Sequence, residues 1–146
     1  MLKTPTRKIN GLEEFFLWSK ENIQFAVNVS KPDMVPTVIQ NIKNYNLGLH
    51  LKIDGLNFVW HDDPIHIYDL PSNINNPREA CDFINTIKFD FRDTFSVIAA
   101  NDKTVAVTVS HMVCDGGFFK DIYGKLLDTK PYQLIPHVPI VGADCF

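Results

Sequence analysis

The clearest pattern in the chain runs from Thr104 to Ser110, where Val105, Val107 and Val109 alternate with Ala106, Thr108 and Ser110. Successive side chains of a strand point to opposite faces, and β-branched residues favour that geometry, so the run predicts a strand with one valine face. One further step of the same period puts His111 where another core aliphatic would stand. Residues 95–100 predict a partner strand, and Asn101-Asp102-Lys103 the tight turn between the two. Downstream, Asp115 can cap a helix, Gly116 and Gly117 let the chain turn, and Phe119, Ile122, Tyr123 and Leu126 share one helical side.

The remaining elements follow from the same two periods. Residues 10–20, with Leu12, Phe15, Phe16 and Trp18 beside Glu13 and Glu14, predict a short amphipathic helix or turn. Ile23, Phe25, Val27 and Val29 alternate with Gln24, Ala26 and Asn28, the pattern of a half-buried strand. Ser30-Lys31-Pro32-Asp33 breaks it, and Asp33 is the expected N-cap of a helix carrying Val35, Val38, Ile39, Ile42 and Tyr45 on one stripe and ending near residues 46–48. Residues 49–53 and 56–60 flank Asp54-Gly55 as a hairpin, and residues 65–68 predict a short strand. After an Asn-rich loop, Pro77 suits the first position of a helix that buries Ala80, Phe83, Ile84 and Ile87. Pro131, Pro136 and Pro139 punctuate the end of the chain. The expected architecture is α/β, a two-layer mixed sheet packed by helices, with one lobe over residues 1–128 and an extended linker or crossover over 129–146.

Composition narrows the function classes. A length of 146 residues with 45% hydrophobic ones suffices for one ordinary core. A net charge of -3 without a Lys/Arg cluster argues against a nucleic-acid surface, and Lys3, Arg7 and Lys8 read as a solvated terminus. No apolar run reaches spanning length and the first ten residues are too polar for a secretory leader, so no membrane span and a cytoplasmic location are expected. Cys81, Cys114 and Cys145 are odd in number and widely spaced, which fits reduced thiols. His50, His61, His66 and Cys114 lack ligand spacing, so no metal is expected, and His61 and His66 are assigned to the surface.

His111-x-x-x-Asp115-Gly116 at the end of a strand resembles the active-site motif of the chloramphenicol-acetyltransferase-like superfamily. That superfamily includes condensation domains of nonribosomal peptide synthetases, plant-type and fungal alcohol acyltransferases, and carnitine acyltransferases. The order of elements over residues 23–127 is similar to its N-terminal half, so the resemblance implies a chloramphenicol-acetyltransferase-like half-domain. It implies His111 as general base, taking a proton from an alcohol or amine acceptor as that group attacks an acyl thioester. Asp115 would hold the loop through an ion pair, and Gly116 would provide the close turn. The donor implied is acyl-CoA or an acyl-phosphopantetheine carrier, a cosubstrate rather than a bound cofactor.

Two departures stand out. Ser110 occupies the place of an extra histidine found in many condensation domains, and Asn44-Tyr45-Asn46-Leu47 lacks the arginine that members often carry beyond their first long helix. The partner of Asp115 is therefore open. Because two similar halves face each other in the superfamily, the resemblance also implies a site completed by a second lobe or a homo-oligomer partner. Other readings of the same residues are a core histidine bonded to a backbone carbonyl, a Cys114 thiol nucleophile, and a non-catalytic binding or interaction module that keeps the fold.

Overall fold

The computed structural model describes residues 5–19, 21–113, 124–126 and 138. In chain order the elements are β1 (Thr6–Lys8), α1 (Gly11–Ser19), β2 (Asn22–Asn28), α2 (Val35–Tyr45), β3 (Leu51–Asp54), β4 (Asn57–Trp60), β5 (Ile67–Asp69), α3 (Pro77–Ile84), β6 (Ser96–Ala100) and β7 (Thr104–Ser110). They form two sheets, β1-β4-β3 and β2-β7-β6-β5. The fold is α/β, with the valine strand β7 at the centre of the larger sheet.

β7 runs antiparallel to β2, from Asn22↔Ser110 to Asn28↔Thr104, and antiparallel to β6, while β5 joins β6 in parallel. Its valine face meets Val35, Val38 and Ile42 of α2 in the main core. The opposite face, expected to be the polar one, is covered as well: Ala106 packs with Ala80 and Ile84 of α3, and every residue of β7 is buried. Small side chains on that face let the helix lie close. The two threonines are reconciled with burial by neighbouring carboxamides, Gln24 Nε2 donating to Thr108 Oγ1 at 3.2 Å and Thr104 Oγ1 donating to Asn28 Oδ1 at 3.0 Å.

The smaller sheet contains a strand that hydrophobic patterning does not reveal. Thr6–Lys8 pairs with β4, and Arg7, expected in a solvated terminus, is tied down instead. Its guanidinium makes a bidentate pair with Glu13, Nη1 donating to Oε1 at 2.6 Å and Nη2 to Oε2, and its carbon lies 4.8 Å from the centre of the Phe58 ring. Glu13 is only 1% exposed. The same carboxylate closes a capping box at the start of α1: Asn10 N–H donates to Glu13 Oε1 at 2.9 Å, and Glu13 N–H to Asn10 Oδ1 at 2.9 Å.

Other boundaries move for local reasons. Asp33 does not cap α2, because Pro32–Met34 winds into a 3-10 turn that runs straight into the helix, with Pro36 in its first turn. The β3 strand starts at Leu51, since residues Leu47–His50 form a second 3-10 turn held by Asn46 Oδ1, which accepts from Gly48 N–H at 3.1 Å. The β3–β4 turn is Gly55-Leu56, with Gly55 at φ 63°, where a side chain is strained. Helix α3 begins at Pro77 as expected, capped by Asn76 Oδ1 on Glu79 N–H at 2.8 Å. It ends at Ile84, and Ile87 packs on the second core from beyond the helix.

Of the segment expected to leave the domain, only Val138 is described, and it packs against the main core. No helix among the described residues is long and apolar enough to cross a membrane.

Candidate functional site

β7 ends at Ser110, and the strand period ends with it. Ser110 N–H donates to Phe95 O at 2.8 Å, and His111 N–H donates to Glu21 O at 2.9 Å, so both neighbouring segments hold the exit. Ser110 then turns the chain: its Oγ accepts from Met112 N–H at 3.2 Å and its carbonyl from Val113 N–H at 3.2 Å. This turn is the structural work of Ser110. Met112 and Val113 are buried, whereas His111 is only partly so. The residue is thus carried on a backbone fixed before and after it; it is part-exposed as a whole, with Nδ1 shielded from solvent.

Asp115 and Gly116, with Cys114, Gly117 and the expected helix as far as Tyr123, lie outside the described residues; at its expected end, residues 124–126 form a turn. The chain beyond them returns to α2. Leu126 is buried in the core and its carbonyl accepts from the buried Asn41 Nδ2 at 2.8 Å, while Lys125 Nζ lies 4.8 Å from the centre of the Tyr45 ring.

Beyond α2, where an arginine is absent, Asn46 builds a neutral network instead. It is fully buried, and its Nδ2 donates to Ser96 Oγ at 2.8 Å, which in turn donates to Thr108 O at 2.8 Å. The end of α2 is thereby bonded to both strands of the β6–β7 hairpin that carries His111. The side-chain polar atoms of Asn46 and Ser96 in this network each have a partner, which is the condition for it to hold a core in register.

The remaining histidines are separate from this corner. His50 stacks on Trp60 at 5.0 Å and donates Nε2–H to Lys43 O at 2.9 Å. His61 is not on the surface: its side chain is 9% exposed, and its Nδ1 accepts from Asp63 N–H at 3.2 Å. Burial pushes its pKa below the ordinary value, against the opposing pull of Asp63. His66 meets Tyr68 edge to face at 4.5 Å. No three His, Cys, Asp or Glu side chains among the described residues gather to hold a metal. Cys81 is a free thiol whose pKa is raised by burial and by Asp82.

At the sheet end from which His111 leaves, a groove of about 880 Å³ opens between the two sheets. Leu17 of α1, Asn22 of β2, Ile53 of β3, Tyr68 of β5 and Val97 of β6 contribute to its wall, together with the segment after α3. Asn22 is the register partner of Ser110 and follows Glu21, whose carbonyl holds the His111 N–H. At the rim, Arg92 is paired with Asp90 through Nη2 at 2.6 Å and Nε at 3.1 Å. Hydrophobic periodicity could not single out Asn22, because it opens a strand on the face of Gln24 and Ala26.

No protein-family model matches the sequence, and no curated protein sequence matches it. Solved structures do. The polyketide synthase associated protein 5 from Mycobacterium tuberculosis superposes with a TM-score of 0.60 at 13% identity, over 95% of this chain and 38% of that one. The enacyloxin polyketide synthase condensation-domain structure gives 0.54 at 14%, over 82% of this chain and 30% of that one. TRI101 of F. graminearum, complexed with coenzyme A and T-2 mycotoxin, gives 0.54 at 15%, over 90% and 41%. The fold is therefore a chloramphenicol-acetyltransferase-like α/β half-domain, matching part of each of these condensation-domain and acyltransferase structures. The chain spans well under half the length of each of these three structures.

Proposed function

We propose that this chain is one lobe of an acyltransferase that moves an acyl group from a coenzyme A or phosphopantetheine thioester to an alcohol or amine. The observation that carries the reading is the position of His111, held at the exit of the central strand of this fold and followed by Asp115-Gly116 in the His-x-x-x-Asp-Gly pattern. In the reaction the acceptor oxygen or nitrogen attacks the thioester carbonyl and His111 takes its proton. The C–S bond then breaks, and the proton passes to the departing sulfur. An imidazole suits both transfers, since its ring nitrogen accepts a proton in the neutral form and gives it up again as imidazolium. Asp115 holds the loop, Gly116 provides the turn, and a second lobe or a second copy of the chain completes the site. A cytoplasmic setting fits this chemistry, with Cys81 a free thiol.

The test is thiol release by the natural full-length protein, given acyl-CoA or an acylated carrier protein and a panel of alcohols and amines. Acceptor-dependent release above the buffer rate is expected with at least one donor. Release that never exceeds the buffer rate would leave a non-catalytic binding module on the same fold.

A further inference from the structure

The groove beside the His111 exit contains a polar atom that the fold itself does not use. Asn22 Oδ1 is shielded from solvent and has no hydrogen-bond partner among the described residues. Other carboxamides of the larger sheet and its flanks are engaged: Gln24 bonds Asn85 and Thr108, Asn28 bonds the Asn75 carbonyl and Thr104, and Asn46 bonds Ser96 and Gly48. A buried carbonyl oxygen without a donor is unfavourable, and a leucine of similar size would fill the same space without that cost. The carboxamide therefore serves something other than packing.

Building on the acyltransferase reading, we propose that Asn22 is a substrate-binding residue whose Oδ1 accepts a hydrogen bond from an N–H or O–H of a neutral, elongated ligand lying in the groove. Rotation about the Asn22 Cβ–Cγ bond, a soft torsion, turns the oxygen toward the open side. The rest of the wall selects the ligand. Leu17, Ile53, Ile87 and Val97 offer apolar contact to a chain, and the lining sets Lys88 and Arg92 against Asp90 and Asp93, Arg92 paired directly with Asp90, so the balanced groove suits an uncharged ligand with a donor group flanked by hydrocarbon. Two sources share that chemistry: the amide-bearing pantetheine arm of the thioester, and an alcohol acceptor. Because Asn22 pairs with Ser110 and follows the residue that holds His111, a ligand bonded there lies at the same sheet end as the proposed base.

The experiment measures binding of pantetheine and, separately, of 1-octanol to the natural full-length protein by ligand-observed NMR, alongside an unfolding midpoint. Wild type is expected to bind at least one probe saturably. Asn22→Leu should weaken that binding about 3- to 10-fold, the loss of one neutral hydrogen bond, while the unfolding midpoint stays level or rises. Weakening confined to pantetheine assigns the groove to the donor arm, and weakening confined to 1-octanol assigns it to the acceptor. Failure of both probes to bind wild type, or equal binding by Asn22→Leu, overturns the proposal. If Asn22→Leu does not fold, Ile87→Trp narrows the groove from its other wall, and unchanged binding by that variant overturns the proposal equally. His111→Ala separates the two readings: it should keep probe binding while losing thiol release.

Discussion

The ion pair that fastens the first strand to the first helix gives a sharp test of how this fold is held. Glu13 is 1% exposed, takes two bonds from Arg7, whose side chain is 20% exposed, and accepts a third from Asn10 N–H. Glu13→Ala would take the carboxylate from a mostly buried guanidinium, whose Nη1 keeps the Lys8 carbonyl at 3.1 Å, and the acceptor from Asn10 N–H. Removing one partner of a fully buried pair costs about 3–5 kcal/mol. Water reaches one face of Arg7, which recovers part of that, so about 2–4 kcal/mol is expected. At a urea slope of about 2 kcal/mol/M, the unfolding midpoint should fall by roughly 1–2 M. The double variant Arg7→Met/Glu13→Leu should regain most of the loss, because it removes both charges and keeps the volume. A Glu13→Ala effect below about 0.5 kcal/mol, typical of an exposed pair, would refute the reasoning.

Three further outcomes follow from the same geometry. Asn46→Ala strips the Gly48 N–H of its acceptor and Ser96 Oγ of its donor in a fully buried site, and urea unfolding should show a loss of about 2–4 kcal/mol. Gly55→Ala places a side chain at φ 63° and should cost about 1–2 kcal/mol by the same assay, with no other change expected in the exposed turn. His61 is pushed below its ordinary pKa chiefly by burial, so the unfolded chain takes up this proton at a higher pH than the folded one. Its contribution should therefore be intact above about pH 6.5 and be lost as pH falls below that value, and the pH dependence of the midpoint should be flatter in His61→Gln.

Elements with a strong local signature were legible in the sequence. The β6–β7 hairpin, β2, and the stripe of α2 are set by β-branched alternation or helical spacing, and the structure has them where the pattern puts them. What periodicity could not give was the second covered face of β7, because Ala106, Thr108 and Ser110 look like a solvent face until α3 is known to lie over it. β1 was hidden for a related reason: a three-residue strand reading Thr-Arg-Lys has no apolar face, and its anchor is a partner six residues away. The caps Asn10, with Glu13, and Asn76, with Glu79, are set by polar spacing at the helix starts, which hydrophobic periodicity does not mark. Of the candidate site, His111 and its strand could be read directly. The buried Asn46–Ser96 network and the groove wall at Asn22 depend on residues far apart in sequence, so no local spacing marks them.

The central claim is that His111 serves as the base for acyl transfer. Its most direct test is kcat/KM for thiol release from an acyl thioester in the presence of acceptor, measured for the natural full-length protein and for His111→Ala. A positioned general base contributes about 10²–10⁴-fold, so the variant should fall by at least roughly 100-fold while its unfolding midpoint stays close to wild type. Equal rates for the two proteins would contradict the account.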